Sequence, residues 1–287
     1  MILSSKIALK RSQNNEKELE KELRILFQNI EEEIQDLLQE YGNVEVILQG
    51  QIEIILSPIQ QANTEYYEII KKHILREYEL GTREGDRLVQ LNNPDIIVAE
   101  VINEIRRKNL FGTLEYTEEK LLNESFAASQ QTLNRVDESI REIITEGYKS
   151  GKGINHVAGE IQTRFGQLRT WETKRIARTE IHTAHQQGIM KSYETLGVEY
   201  TQWMSAHDRR VRGHKKTDKA NHIRMDGEII PFGGTYSNKL KYPGDKTGPI
   251  EEWINCRCTN APFIMPPGMM APPGRSYFEE KDLIPIS

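Results

Sequence analysis

Between residues 15 and 41 the apolar side chains fall at Leu19, Leu23, Leu26, Phe27, Ile30, Ile34, Leu37, Leu38 and Tyr41, in steps of three and four. That spacing puts them on one face of a long amphipathic helix, with Glu and Lys on the other, and Gly42-Asn43 supplies a stop. A helix of this length needs other helices to cover its stripe, so the first half is constrained towards an all-α arrangement. The bundle reading is preferred to a seam for a second subunit. Residues 44–56 read as a further helix ended by Pro58, followed by helical spacing at Tyr66, Tyr67, Ile70 and Ile74. More helical segments are expected at residues 94–108, 117–136 and 137–149. His73 is read simply as a helix residue.

Gly147, Gly151 and Gly153 punctuate the chain and set the expected boundary between a helical domain at 1–150 and a second domain at 151–262. Two helices, at 154–165 and 170–196, are expected to meet at Gly166. Beyond Val198 the pattern changes to alternation, which suits a strand, and Glu228-Ile229-Ile230-Pro231-Phe232 reads as another after the Asp226-Gly227 turn. Residues 263–287, with Pro266, Pro267, Pro272, Pro273 and Pro285, read as an extended tail available to a partner surface. The fold class is therefore α+β: a long-helix all-α region, a smaller α+β module and an extended Pro-rich tail.

Composition narrows the function classes. A net charge of −5 argues against a chain that coats DNA over its whole surface, leaving a local basic run at Arg209, Arg210, Arg212, Lys215, Lys216 and Lys219. No apolar segment approaches the ~20 residues of a membrane helix, and the amino terminus lacks the apolar run of a secretory signal. The only 2 cysteines, Cys256 and Cys258, lie in Asn255-Cys256-Arg257-Cys258, with His214 and His222 upstream. Thiolate and imidazole both suit Zn²⁺, so this is a candidate metal site. The Cys-x-Cys spacing is read as requiring a backbone turn if both thiols are to meet one ion. His182 and His185 are read as packed or polar helix residues, and Arg178 and Glu180 as ion-pairing groups. Asp208, Arg210 and Arg212 are expected to tie a loop to Glu251 or Glu252.

Residues 178–259 resemble the head morphogenesis (Mu F-like minor head protein) family of tailed bacteriophages. The likeness runs in order through Ile176-Ala177-Arg178-Thr179-Glu180, Ala184, Gly188, Tyr193, Gly197 and Trp203. It continues through Asp208-Arg209-Arg210-Val211-Arg212, Asn221-His222-Ile223-Arg224-Met225-Asp226-Gly227, Phe232, Pro243-Gly244-Asp245 and Glu252-Trp253-Ile254-Asn255-Cys256-Arg257-Cys258-Thr259. Some members carry Cys-x-x-Cys where this chain has Arg212-Gly213-His214, and a His where it has Trp253. That leaves His222 or His214 as the imidazole, and His222 is preferred because it precedes the Asp226-Gly227 turn. The resemblance implies a non-enzymatic minor capsid protein associated with the portal, acting in head assembly or genome delivery. It implies a place in the virion head, reached from the host cytoplasm, with portal protein and major capsid protein as partners and contact with packaged DNA. The metal set is then His222, Cys256 and Cys258, with structural zinc. The competing class is a zinc-dependent hydrolase or nuclease using Asp208 or Asp226 as base.

Overall fold

The computed structural model describes residues 2–93, 100–101, 104 and 115–286. It is helix-rich with a small strand-bearing region, the α+β arrangement expected from the sequence. Its contacts divide into two compact units, one formed by Gln13–His73 and Leu122–Ala177, the other by Met1–Ser12, Ile74–Leu121 and Arg178–Ser287.

The first unit is built from long amphipathic helices. Helix α1 (Ile2–Tyr41) buries Leu19, Leu23, Phe27, Ile34 and Leu38 completely. The stripe therefore serves this unit's own core and is not a free binding surface. Helix α2 (Gln49–Gln61) adds Ile52, Ile55, Leu56 and Ile59, and the first part of α3 (Asn63–Asn92) adds Tyr66, whose ring lies 5.8 Å from that of Phe27. Residues 44–48 precede α2, and Pro58 lies inside it instead of ending it. Proline deprives the carbonyl four residues back of its N–H, here that of Ile54, and the Ser57 hydroxyl donates to that oxygen at 2.8 Å. The segments expected at 117–136 and 137–149 form a single helix, α4 (Glu118–Lys149), whose Leu133, Val136, Ile140 and Ile144 are buried. Of the segment expected to be helical at 94–108, all but residues 100, 101 and 104 lies outside the described residues.

Helix α5 (Ile154–Gln167) buries Val157, Ile161 and Phe165 and passes Gly166 without a break, through a π-helical turn (Leu168–Glu172) into α6 (Thr173–Thr195). The wider turn leaves carbonyls short of their usual donors, and threonine hydroxyls replace them: Thr170 donates to the Gly166 oxygen at 2.9 Å and Thr173 to that of Arg169 at 3.0 Å.

In the second unit the later part of α3 lies against α6. A Cβ on Gly81 would stand 2.1 Å from the His185 carbonyl oxygen, and one on Gly188 2.1 Å from that of Tyr78. Only glycine allows the backbones this close. Glu77, fully buried, accepts from His185 Nδ1 at 2.9 Å, so His185 does have an acidic partner, one that lies 108 residues away in sequence. Val89, Tyr116, Ile189, Met190, Tyr193, Leu196 and Tyr242 form one apolar cluster. Next comes a three-stranded antiparallel sheet in the order β2-β1-β3, with β1 (Tyr200–Met204) central, β2 (Ile229–Pro231) on one edge and β3 (Thr259–Phe263) on the other. The sequence reading anticipated β1 and β2 but not β3. A second cluster, Trp203, Met225, Ile230, Tyr236, Leu240, Cys256 and Cys258, includes both thiols.

The Pro-rich tail is extended but partly committed to its own unit. Phe278 is buried, exchanges backbone hydrogen bonds with Ile229 at 2.7 and 3.0 Å, and packs edge-on to Tyr200 at 5.9 Å. Strands β4 (Met269–Met270) and β5 (Ile284–Pro285) pair with each other.

Candidate metal centre

Two segments deliver the thiols and one imidazole. The short helix α7 (Ile250–Trp253) ends in a turn where Asn255 takes φ of 53° and Cys256 N–H returns to the Trp253 carbonyl at 3.1 Å. Residues 256–258 then run extended into β3. Extended backbone is enough to bring the thiols together, because side chains two apart share a face. No turn between the cysteines is needed, contrary to the reading of the spacing. Cys256 and Cys258 point inward and are buried, while Arg257 points the other way and grips Asp208 with both guanidinium nitrogens at 2.5 Å. Asp208 is thus tied to Arg257 and Arg210 and not to Glu251 or Glu252, and Arg212 donates to the Ile254 carbonyl.

His222 arrives from a loop that closes on itself. Asp218 accepts from the backbone N–H groups of Gly213 and Lys215 at 2.9 and 3.1 Å, and His222 N–H returns to the Arg212 carbonyl at 3.0 Å. This folds residues 213–219 outward, so His214 is exposed while His222 is buried. Downstream, Asp226 accepts from Ser205 N–H at 2.7 Å, and Gly227, at φ of 90°, donates to the Trp203 carbonyl, fixing the loop to the end of β1. The Trp203 ring meets the His222 ring edge-on at 5.2 Å.

His222 Nδ1 lies 3.7 Å from Cys256 Sγ and 3.5 Å from Cys258 Sγ, and the three donor atoms are all within 4.8 Å of one another. Zn–S of about 2.3 Å and Zn–N of about 2.0–2.1 Å at a tetrahedral angle give S···N of about 3.6 Å. The donors are therefore spaced as ligands of one such ion would be. The other ring nitrogen, Nε2, faces Glu252 Oε2 at 3.0 Å, and Asn238 also donates to that oxygen at 3.1 Å. A carboxylate behind the imidazole fixes the tautomer that leaves Nδ1 free to ligate. Trp253 donates its indole N–H to the Gly248 carbonyl and packs on the thiol cluster.

Charge favours the same occupant. The Cys256 thiol is held well below its ordinary pKa by the hydrogen bond from Cys258, helped against burial by His182 and His222. Cys258 is pushed up by the neighbouring Cys256 and by burial. Burial lowers the His222 pKa, but Cys256 and Glu252 outweigh it and raise it to about 8. Without a cation the pair loses one proton readily and resists losing the second, whereas a divalent ion stabilises both thiolates.

Arg178, Thr179 and Glu180 brace this arrangement from α6. Arg178 donates to the Asn255 side chain at 3.1 Å, Thr179 Oγ1 accepts from Asn255 N–H at 3.0 Å, and Glu180 pairs with Lys246 at 2.6 Å. The ion-pairing reading of Glu180 is met by Lys246. Sequence reasoning did not single out Glu252 or Arg257 in these roles. Their only signal was proximity to the cysteines.

The fold and centre define a small α+β module with a buried thiol-imidazole cluster. Residues 138–261 match the family model described as Phage Mu protein F like protein, which bears out the resemblance over that segment and is consistent with a phage head morphogenesis family. Comparison with curated proteins and with solved structures gives no match.

Proposed function

We propose that the chain is a minor capsid protein associated with the portal, acting in phage head assembly or genome delivery, with its strand-bearing module held together by a structural zinc ion. The match of residues 138–261 to the Mu F-like family carries the head-assembly part of this reading. The zinc part is supported by the spacing and burial of His222, Cys256 and Cys258. Structural zinc sites are closed and coordinate through side chains alone, and donors buried to this degree suit that role better than turnover. Zinc would be held by those three side chains, and the chemistry it supplies is charge neutralisation of two thiolates.

Portal protein and major capsid protein are the expected partners, with packaged DNA meeting the exposed Arg209, Arg210, Lys215, Lys216 and Lys219. Among the described residues no helix is long and apolar enough to cross a membrane. One feature favours the zinc hydrolase or nuclease reading: a cavity of about 70 Å³ borders the cluster, lined by Ala206, Val211, Arg212 and the ligands. Its two candidate bases are engaged elsewhere, Asp208 by Arg257 and Asp226 by the Ser205 amide. Co-sedimentation of the purified protein with proheads or isolated portal tests the assembly reading, and failure to sediment with either would reject it. Metal-dependent cleavage of DNA or peptide that disappears in Asp208→Asn or Cys258→Ser would replace it with the hydrolase.

A further inference from the structure

We propose that His182 of helix α6 supplies the fourth ligand, completing a two-thiolate, two-imidazole zinc set with His222, Cys256 and Cys258. The inference rests on the structural-zinc reading above and assigns it a residue outside the three that already converge. A closed tetrahedral site takes four protein donors, and the cluster provides three.

His182 Nε2 is buried and has no hydrogen-bond partner. An orphaned polar atom of this kind costs stability unless something binds it. The position of the side chain follows from the helix. Arg178 and Thr179 both hold Asn255, the residue before Cys256, and His182 lies four and three residues further on, hence on the same face.

The Pro243-Gly244-Asp245 loop lies against the ring edge that carries Nε2. Thr183 donates to the Gly244 carbonyl at 2.9 Å, and a Cβ on Gly244 would meet His182 Cδ2 at 3.0 Å and Nε2 at 3.5 Å. Glycine, at φ of 91°, leaves the imidazole room to turn. Because no His182 nitrogen belongs to the set of atoms within 4.8 Å of one another, ligation requires a change of side-chain rotamer. The rival for the fourth position is a water in the 70 Å³ cavity, which His182 does not line. A water's share of volume is about 30 Å³, so it would fit, but it would leave His182 Nε2 unpaired.

The two are separated by zinc K-edge absorption on the full-length wild-type protein loaded with Zn²⁺ alone. Two sulfurs and two imidazoles are expected. Two sulfurs with one imidazole and one oxygen would overturn the assignment of His182 while leaving the structural-zinc reading in place. Failure of the wild-type protein to bind zinc would remove both. As a second measurement, His182→Ala is expected to weaken zinc binding by at least about 100-fold in competition with a colorimetric chelator, beyond the range typical of outer-shell partners. An unchanged affinity in a folded His182→Ala protein would also reject the assignment.

Discussion

The two compact units solve the problem of staying folded in different ways. The helical unit spreads its stabilisation along stripes: Leu19, Leu23, Phe27, Ile34 and Leu38 on α1 are all fully buried, and α2, α4 and α5 contribute similar rows. Around the centre, the strands are two to five residues long and the apolar cluster is small enough that two of its seven buried members are cysteines. There, order depends on specific points: Asp218 on two amides, Asp226 on Ser205, Glu252 on His222 and Arg257 on Asp208. Distributed packing tolerates the loss of any one member, whereas a pinned loop fails when its pin is removed.

Removing the zinc proposed for this module should give the largest effect. Structural zinc contributes on the order of 10 kcal/mol in small zinc-dependent folds. Chelation, or Cys258→Ser, is therefore expected to abolish protection of amides in residues 200–263 from hydrogen exchange while those of α1 and α4 stay protected. Uniform loss in both units would break the contrast drawn here. A smaller effect is expected from Phe27→Ala, about 3–5 kcal/mol for a buried aromatic, seen as a lowered thermal transition with zinc content unchanged. Loss of zinc in that variant would show the units to be less separable than their cores suggest.

The smallest expected effect is at Asp208. The hydrogen bonds from Arg257 hold its carboxyl well below the usual carboxylate range against the opposing influence of burial, with further help from the Arg210 amide and side chain. A depressed folded-state pKa adds stability above the unfolded-state value and loses it as pH falls through the folded-state value. Wild type should therefore exceed Asp208→Asn in thermal midpoint by a small, constant amount at neutral pH, with the gap closing only in strong acid. A gap that closed near pH 6 would point to another group.

Sequence periodicity exposed the helices because a stripe is written locally, every three or four residues, as α1 illustrates. It misplaced the ends at Pro58 and Gly166 because the rescue of their carbonyls comes from Ser57 and Thr170, hydroxyls whose direction only the folded helix determines. Ligand chemistry picked out His222, Cys256 and Cys258, and the structure brings those three together. The supports were not legible: Glu252 reaches His222 across 30 residues, Glu77 reaches His185 across 108, and neither pairing leaves a periodic trace. Strand β3 went unread because Thr259-Asn260-Ala261-Pro262-Phe263 has weak strand character and owes its state to pairing with β1.

The bridge between Ile229 and Phe278 bears on the order in which the molecule forms. Helical turns close over a few residues, but β1 must find β3 across more than fifty, and Phe278 must then return to the edge strand β2. Contacts so distant in sequence are slow to assemble, since the intervening loop loses its freedom before the pairing returns anything. The thiols, 34 and 36 residues from His222, face the same delay. During that interval Trp203, Ile230 and both cysteines stand open to solvent and to other chains. Topology thus makes this module the slower to mature, and on the zinc reading proposed above the supply of metal during synthesis should govern how much protein reaches the finished state.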